Sequence, residues 1–297
     1  MAEVHHFAYG WFNPVAAYLM AFIGSLLGLV CTARARRAPT GGRRARWLII
    51  ASLSIGGTGI WFMHFMAIIG FDVPDSPVRY DAVVTFISLA LAVATVGIGL
   101  FIAGQGPRSA LRVVAGGGFT GLGMVAMHYT GMAGMRVAGD VGYDLGLVGA
   151  SVLIAVVAAT VALWFTVTVS GRRAITAAAA VMGVAVCGMH YTAMAAVRIT
   201  LRTDGDGEVS GLSPFVLIVP IVVLSALCLI GVMFSALQAM MQEEFDGTGV
   251  ARPGPHAANA ALVIPDPRGT DDEMAPVNPP FSLARALADR NSARVPH

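Results

Sequence analysis

The sequence predicts an all-α polytopic membrane protein with seven transmembrane helices, arranged as three two-helix repeats plus a seventh helix. Of its 297 residues, 56% are hydrophobic and only 12% are charged, whereas soluble proteins carry about 25% charge. Seven uncharged apolar stretches are each about long enough to cross a bilayer as a helix, and they lack the alternating polarity of barrel strands. These stretches cover 14–33, 47–70, 82–104, 113–135, 147–169, 174–197 and 215–237.

The charges between these stretches predict the orientation in the membrane. Ten arginines and no acidic residue lie in one set of connections, 34–46, 105–112 and 170–173. Four arginines and eight acidic residues lie in the opposite set, 71–81, 136–146 and 198–213. Because arginine-rich loops stay in the cytoplasm, we predict a cell-membrane protein with the N-terminus outside and the C-terminus inside.

Three regions follow from the composition. Residues 11–212 contain the repeats, 213–237 form the seventh helix, and 238–297 are rich in Pro, Ala, Arg and Asp. Such a tail is typical of disordered segments, and we predict that it is cytoplasmic. No enzymatic domain is recognisable in it, so we expect a protein that is not itself an enzyme.

A histidine recurs at the same place in each repeat. His64, His128 and His190 are 64 and 62 residues apart, and each follows a methionine near the end of a second span. Three matching positions indicate internal duplication, with each imidazole about 9–11 Å below the outer helix end. Glycines cluster on the same three spans and allow close helix packing. We therefore predict that these spans form an inner bundle.

Sulfur side chains accompany the histidines at helical spacing. Met124 and Met132 lie one turn before and after His128, and Met194 lies one turn after His190, while Cys187 lies three residues before it. Thioether, thiol and imidazole together favour copper, particularly Cu(I). Since no carboxylate occurs in these spans, calcium, magnesium and di-iron sites are disfavoured.

Further ligands and a simpler interpretation stay open. His5 and His6 lie near the first span on the predicted outer side and could complete a site. Tyr129, Tyr191, Thr130 and Thr192 are expected to orient the imidazoles as hydrogen-bond donors. In the simpler interpretation, the histidines are hydrogen-bonded packing residues and the methionines fill the core.

The repeated phrases resemble a known family. Met127-His128-Tyr129-Thr130 and Met189-His190-Tyr191-Thr192 are similar to the signature of the MHYT membrane sensor domain, and Met63-His64-Phe65-Met66 resembles its variant first copy. The resemblance covers about residues 11–212. It implies a bacterial membrane domain that coordinates copper near the outer face and senses oxygen, carbon monoxide or nitric oxide.

The resemblance also implies which residues bind the metal. By that pattern the ligands are Met63, His64, Met127, His128, Met132, Met189, His190 and Met194. Ile68 replaces a methionine that is common at its position, so the first copy is expected to contribute His64 alone. Many relatives carry cyclic-di-GMP enzymes or a histidine kinase, so we expect a cytoplasmic or membrane signalling partner.

Three functions are consistent with these features. The first is a copper-binding sensor whose ligand is a diatomic gas or the metal itself. The second is a small metal-ion transporter or channel. The third is a membrane redox or haem protein with paired histidines as axial ligands. No nucleic-acid partner is expected.

Overall fold

The computed structural model describes residues 10–74, 76–104, 109–201 and 209–213, and isolated positions between 216 and 234. Within these residues, six helices are long and apolar enough to cross a membrane, so the first six predicted spans are confirmed. The helices are α1 (Phe12–Arg37), α2 (Gly41–Ile68), α3 (Ala82–Gly104), α4 (Ala110–Ala133), α5 (Leu145–Thr168) and α6 (Arg172–Ala195). The predicted tail, 238–297, lies outside the described residues, as does most of the predicted seventh helix, 213–237.

The first connection is shorter than predicted because its arginines belong to helices. Only three residues separate α1 from α2, and Thr40 begins α2 by accepting a hydrogen bond from the Arg43 backbone N–H. The guanidinium of Arg34 lies 5.0 Å from the centre of the Trp47 ring, within the range of a cation–π contact. Arg36 donates to the Thr166 and Val169 carbonyls at the end of α5. We call this end of the bundle the arginine end.

The six helices form a ring in sequence order. Each packs against the next, and α6 packs against α1. The predicted inner bundle of three histidine-bearing helices is therefore wrong. In the apolar parts of α4 and α6, 44% of residues are buried, the same fraction as in α1. The histidine-bearing helices alternate with the others around the ring, and of the three only α2 is more deeply buried than α1.

Helix α2 is the most deeply buried and the least regular helix. In its apolar part, 83% of the residues are buried. It is α-helical over Gly41–Ser52, π-helical over Leu53–Phe62 and α-helical again over Met63–Ile68. Long π-helical segments are rare and are often found at functional sites. This one was not predicted, and it ends directly before the Met63-His64 pair.

Glycines allow α2 to lie very close to both neighbouring helices. A β-carbon on Gly24 of α1 would collide with the Gly59 backbone and lie 2.7 Å from the Ser54 carbonyl oxygen. A β-carbon on Gly56 would lie 2.8 Å from the Ala92 carbonyl oxygen of α3. The absence of side chains at these positions therefore sets the spacing of the first three helices.

Two short antiparallel ladders, which were not predicted, close the end of this mostly helical bundle opposite the arginines. Strand β1 (Arg79–Tyr80) pairs with β2 (Met135–Arg136), and β3 (Gly139–Tyr143) pairs with β4 (Val197–Leu201). We call this end the ladder end. The ladders join the connections that follow α2, α4 and α6, so they hold the ends of the three histidine-bearing helices together.

Asp81 links this end to the start of α3. One carboxylate oxygen accepts hydrogen bonds from the Val83 and Val84 backbone N–H groups, at 3.0 and 3.2 Å. The other forms an ion pair of 2.6 Å with Arg136 of β2, which also donates to Ser210 at 2.9 Å. The Val84 N–H and the Arg136 guanidinium hold the pKa of Asp81 below its ordinary value.

We expect Gly24→Ala to destabilise the protein, because the added methyl group must push apart the backbones of α1 and α2. The expected loss is about 1–3 kcal/mol, as for other overpacked sites, measured by thermal unfolding in detergent. Gly118→Ala is the matched control, since a β-carbon there meets nothing within 4 Å. If both variants unfolded at the wild-type temperature, this close contact would have no energetic role.

We also expect the ladder end to loosen in acid through Asp81. Because its folded-state pKa is lowered, its stabilising contribution is complete above the ordinary pKa of 3.8 and is lost as the pH falls through the lower folded-state value. Asp81→Asn can still accept hydrogen bonds but has no charge, so it should show a weaker acid dependence. Limited proteolysis of the ladder end between pH 7 and 2 measures this. Identical acid profiles for the two proteins would contradict the expectation.

Candidate metal centre

The structure brings the three predicted histidines together at the ladder end of the bundle. His64, His128 and His190 project from α2, α4 and α6, with exposures of 1%, 0% and 1%. Each lies four or five residues before its helix ends. At 1.5 Å per residue this is a depth of about 6–8 Å, slightly less than predicted because the helices end earlier.

The imidazoles face one another through one type of nitrogen. The Nδ1 atom of His64 lies 3.1 Å from Nδ1 of His128 and 3.2 Å from Nδ1 of His190. The ring centres are 4.8–5.2 Å apart, and the ring planes make angles of 79–83° with one another. The three rings therefore surround one point in nearly equivalent orientations. We call this cluster the histidine triad.

A single two-centre hydrogen bond does not explain this geometry. A neutral imidazole nitrogen either donates one proton or accepts through one lone pair, yet Nδ1 of His64 faces two others at similar distances. A cation accepts all three lone pairs at once. Metal–nitrogen bonds of about 2.0–2.1 Å place nitrogen ligands about 3.3–3.5 Å apart, close to the observed separations. The triad could therefore hold a metal ion, with its ligand atoms within 4.8 Å of one another.

The opposite ring nitrogens are enclosed by the protein. Nε2 of His64 and Nε2 of His128 are buried and have no hydrogen-bond partner among the described residues. A β-carbon on Gly131 of α4 would lie 2.6 Å from Nε2 of His64, so this glycine provides the space for that ring. Gly131 is not among the predicted site residues, although it lies three residues after His128 on the same helix face.

The predicted methionines are all buried in the core of the bundle. Met63, Met127, Met132 and Met189 are each 1% exposed, and Met124 and Met194 are each 3% exposed. All six belong to one continuous cluster of buried side chains. Cys187 is only partly buried, and Ile68 is buried where a methionine is common. His5 and His6 lie outside the described residues.

The residue after each histidine supports its ring in a way that was not predicted. Phe65, Tyr129 and Tyr191 lie edge-on to the preceding imidazole, at 4.9–5.1 Å and 80–89°. For Tyr129 and Thr192, the expected hydrogen bond to an imidazole is replaced by another. The Tyr129 hydroxyl pairs with Ser151 of α5 at 3.2 Å, and the Thr192 hydroxyl donates to the Gly188 carbonyl at 2.7 Å. These aromatic residues position the rings by packing.

A family model described as "Bacterial signalling protein N terminal repeat", MHYT, matches the chain three times, over residues 57–116, 121–179 and 183–248. The triad histidine is the eighth residue of every match. Each matched repeat thus begins inside a histidine-bearing helix and continues into the helix that follows it. The predicted repeats instead pair each histidine-bearing helix with the helix that precedes it. The third match also includes the predicted seventh helix.

Several relatives are signalling proteins. The bifunctional diguanylate cyclase/cyclic di-GMP phosphodiesterase MucR of Pseudomonas aeruginosa is 35% identical over 239 residues, which is 77% of this chain and 34% of MucR. The cyclic di-GMP phosphodiesterase NbdA of the same species is 32% identical over 191 residues, 62% of this chain and 24% of NbdA. A signalling protein of Caulobacter vibrioides is 31% identical over 184 residues, 61% of this chain and 22% of that protein.

This chain spans about a third of the length of MucR and less of the other two relatives. No solved structure matches it. The three family matches nevertheless cover more than half of the chain and contain all three members of the histidine triad. Together with six apolar helices, they show that the chain is a multi-pass membrane protein belonging to the MHYT family of bacterial signalling domains.

Proposed function

We propose that this chain is a membrane sensor that binds copper at the histidine triad and responds to oxygen, carbon monoxide or nitric oxide, or to the metal itself. The convergence of three buried Nδ1 atoms is the observation that supports this function best. A common cation would compensate the polar atoms of three imidazoles that share one point in an apolar interior. A metal site explains both their burial and their orientation.

The donor set favours copper over other metals. Six buried methionines lie within five residues of a triad histidine in the sequence and belong to the core. Thioethers favour Cu(I), whereas zinc usually takes more cysteine or carboxylate. No aspartate or glutamate occurs within the six helices. Copper held there would supply a coordination position for a diatomic ligand. The histidines hold the metal, and the methionines favour its reduced form.

We place the triad near the extracytoplasmic face. The arginine end carries Arg34, Arg36 and Arg37 at the end of α1, and the positive-inside rule assigns such an end to the cytoplasm. The ladder end, with the triad beneath it, then faces outward, and the N-terminus is outside. A ligand from outside would meet the triad about two helical turns or less below the surface.

The output is proposed to be a change in helix packing that a cytoplasmic partner detects. MucR and NbdA are named as cyclic di-GMP enzymes, so an enzyme that makes or degrades this messenger is the partner class we propose. The region similar to those proteins is the membrane domain, for which we propose no reaction of its own. Helix α2 packs against both α1 and α3 and is the element best placed to transmit a movement of His64.

The two alternative functions have less support. Axial haem ligands lie on opposite sides of a macrocycle, but ring centres 4.8–5.2 Å apart leave no space for one between these imidazoles. An ion pathway needs polar groups along the bundle axis. On the three histidine-bearing helices, the positions one turn towards the arginine end are Ile60, Met124 and Val186, which offer an ion no charged or hydrogen-bonding side chain.

We expect the detergent-purified full chain to bind one copper ion, and His128→Ala together with His190→Ala to abolish this binding. Elemental analysis and competition with a Cu(I) chelator measure it.

Met132→Leu and Met194→Leu should weaken Cu(I) binding by about 10–100-fold, a range typical of changes around metal ligands. Met66→Leu is the control, because Met66 lies two residues after His64, on another face of α2. Wild-type protein without a transition metal would disprove the proposal.

We also expect Gly131→Ala to weaken metal binding without removing a ligand. The added methyl group would lie 2.6 Å from Nε2 of His64 and would force that ring to move. A misoriented ligand typically costs about 10–100-fold in affinity, measurable by the same chelator competition. Gly118→Ala, also on α4, should bind copper as the wild type does. Unchanged affinity in Gly131→Ala would show that His64 is not a ligand.

A further inference from the structure

The bundle contains a small apolar cavity between its helices that is distinct from the histidine triad. It has a volume of about 40 Å³ and is lined by residues from all six helices. One residue from each helix illustrates its central position: Ser25, Ile60, Leu100, Met124, Ala159 and Val186. Because all six helices contribute, the cavity lies on the axis of the ring. We call it the axial chamber.

The axial chamber lies directly beneath the triad. Ile60, Met124 and Val186 are each four residues before a triad histidine, and all three line the chamber. Four residues correspond to one helical turn, or about 6 Å along the axis. The wall of the chamber nearest the ladder end is therefore one turn from the imidazoles on all three histidine-bearing helices.

The chamber walls suit an apolar molecule better than water. Two of the hydroxyl groups in its lining are already paired with backbone carbonyls. Thr120 donates to Thr95 at 3.4 Å and Thr166 donates to Leu163 at 2.7 Å. A buried water needs two to four polar partners and about 10–15 Å³. The chamber has enough volume but is lined mainly by aliphatic side chains, and such cavities stay dry and take up apolar molecules such as xenon.

A surface groove leads towards the chamber from the lipid side. It lies between α5 and α6 and has a volume of about 340 Å³. Leu153, Val157 and Val181, which line it, are 66%, 55% and 53% exposed. Three residues line both the groove and the chamber: Ala158, Met182 and Ala185. Two small side chains and one flexible thioether therefore separate the two spaces.

We propose that the axial chamber binds small apolar gas molecules of diatomic size, and that they enter it from the bilayer between α5 and α6. Such molecules dissolve better in hydrocarbon than in water, since water must open a cavity for them. Rotation of the Met182 side chain opens the passage between groove and chamber. Delivery from the chamber to the triad rests on the proposed sensor function, whereas gas binding in the chamber does not.

Xenon, an apolar atom of similar size, tests the chamber in metal-free protein in lipid nanodiscs. Xenon-129 magnetic resonance should show a bound signal that exchanges with lipid-dissolved xenon. Ala159→Leu, which fills the chamber, should abolish the bound signal. Ala185→Phe and Ala158→Phe, which narrow the shared wall from opposite helices, should abolish the exchange. Ala177→Phe is the control, because Ala177 is exposed on α6 and lines neither space.

Each outcome decides the inference. If the wild-type protein showed no bound xenon, the proposed gas binding in the chamber would be wrong. If exchange were unchanged in both Ala185→Phe and Ala158→Phe, the proposed route from the bilayer would be wrong. Copper binding, measured by adding Cu(I) to a separate portion of the same metal-free protein, separates this from the proposed function. Xenon binding without copper binding would support gas binding in the chamber and contradict the copper sensor. Copper binding without xenon binding would support the copper sensor and contradict gas binding in the chamber.

Discussion

The rest of this structure depends on the burial of three imidazoles around one point inside a membrane. Each ring carries polar nitrogens into an environment that offers no water, which is costly unless the nitrogens find partners. The three Nδ1 atoms meet one another, so three separate helices must reach the same point at the same depth. That requirement fixes the direction of α2, α4 and α6 and the position of their ends.

Two further sets of contacts, at glycines and in the two ladders, hold the helices in these positions. Glycines such as Gly24 and Gly56 allow neighbouring backbones to approach, so α2 fits between α1 and α3. The two ladders join the connections beyond the histidines. The bundle is also asymmetric, because 83% of residues are buried in the apolar part of α2 and only 17% in that of α5. The side nearest α5 is therefore the side on which lipid lies closest to the axis.

The transmembrane spans and the triad could be predicted from sequence because the bilayer imposes strong local rules. A span must be long, apolar and uncharged, so a histidine inside one is conspicuous, and its recurrence at spacings of 64 and 62 indicates a shared site. The π-helical segment Leu53–Phe62 could not be predicted in the same way, because it depends on contacts that α2 makes with both neighbouring helices. The role of Gly131 depends on His64, a residue 67 positions away. The ladders and the ring order depend on similarly distant pairings.

The position of each histidine within its repeat has a consequence for how such a protein could arise. Every repeat supplies one imidazole at its eighth position, so a single repeat cannot form the cluster. An ancestor with one repeat could have built it only as a homotrimer, with assembly dependent on protein concentration. Fusion of three copies makes the meeting of the rings intramolecular and replaces that dependence with a high effective concentration. After fusion the copies are free to diverge, as Phe65 and Ile68 in the first copy illustrate.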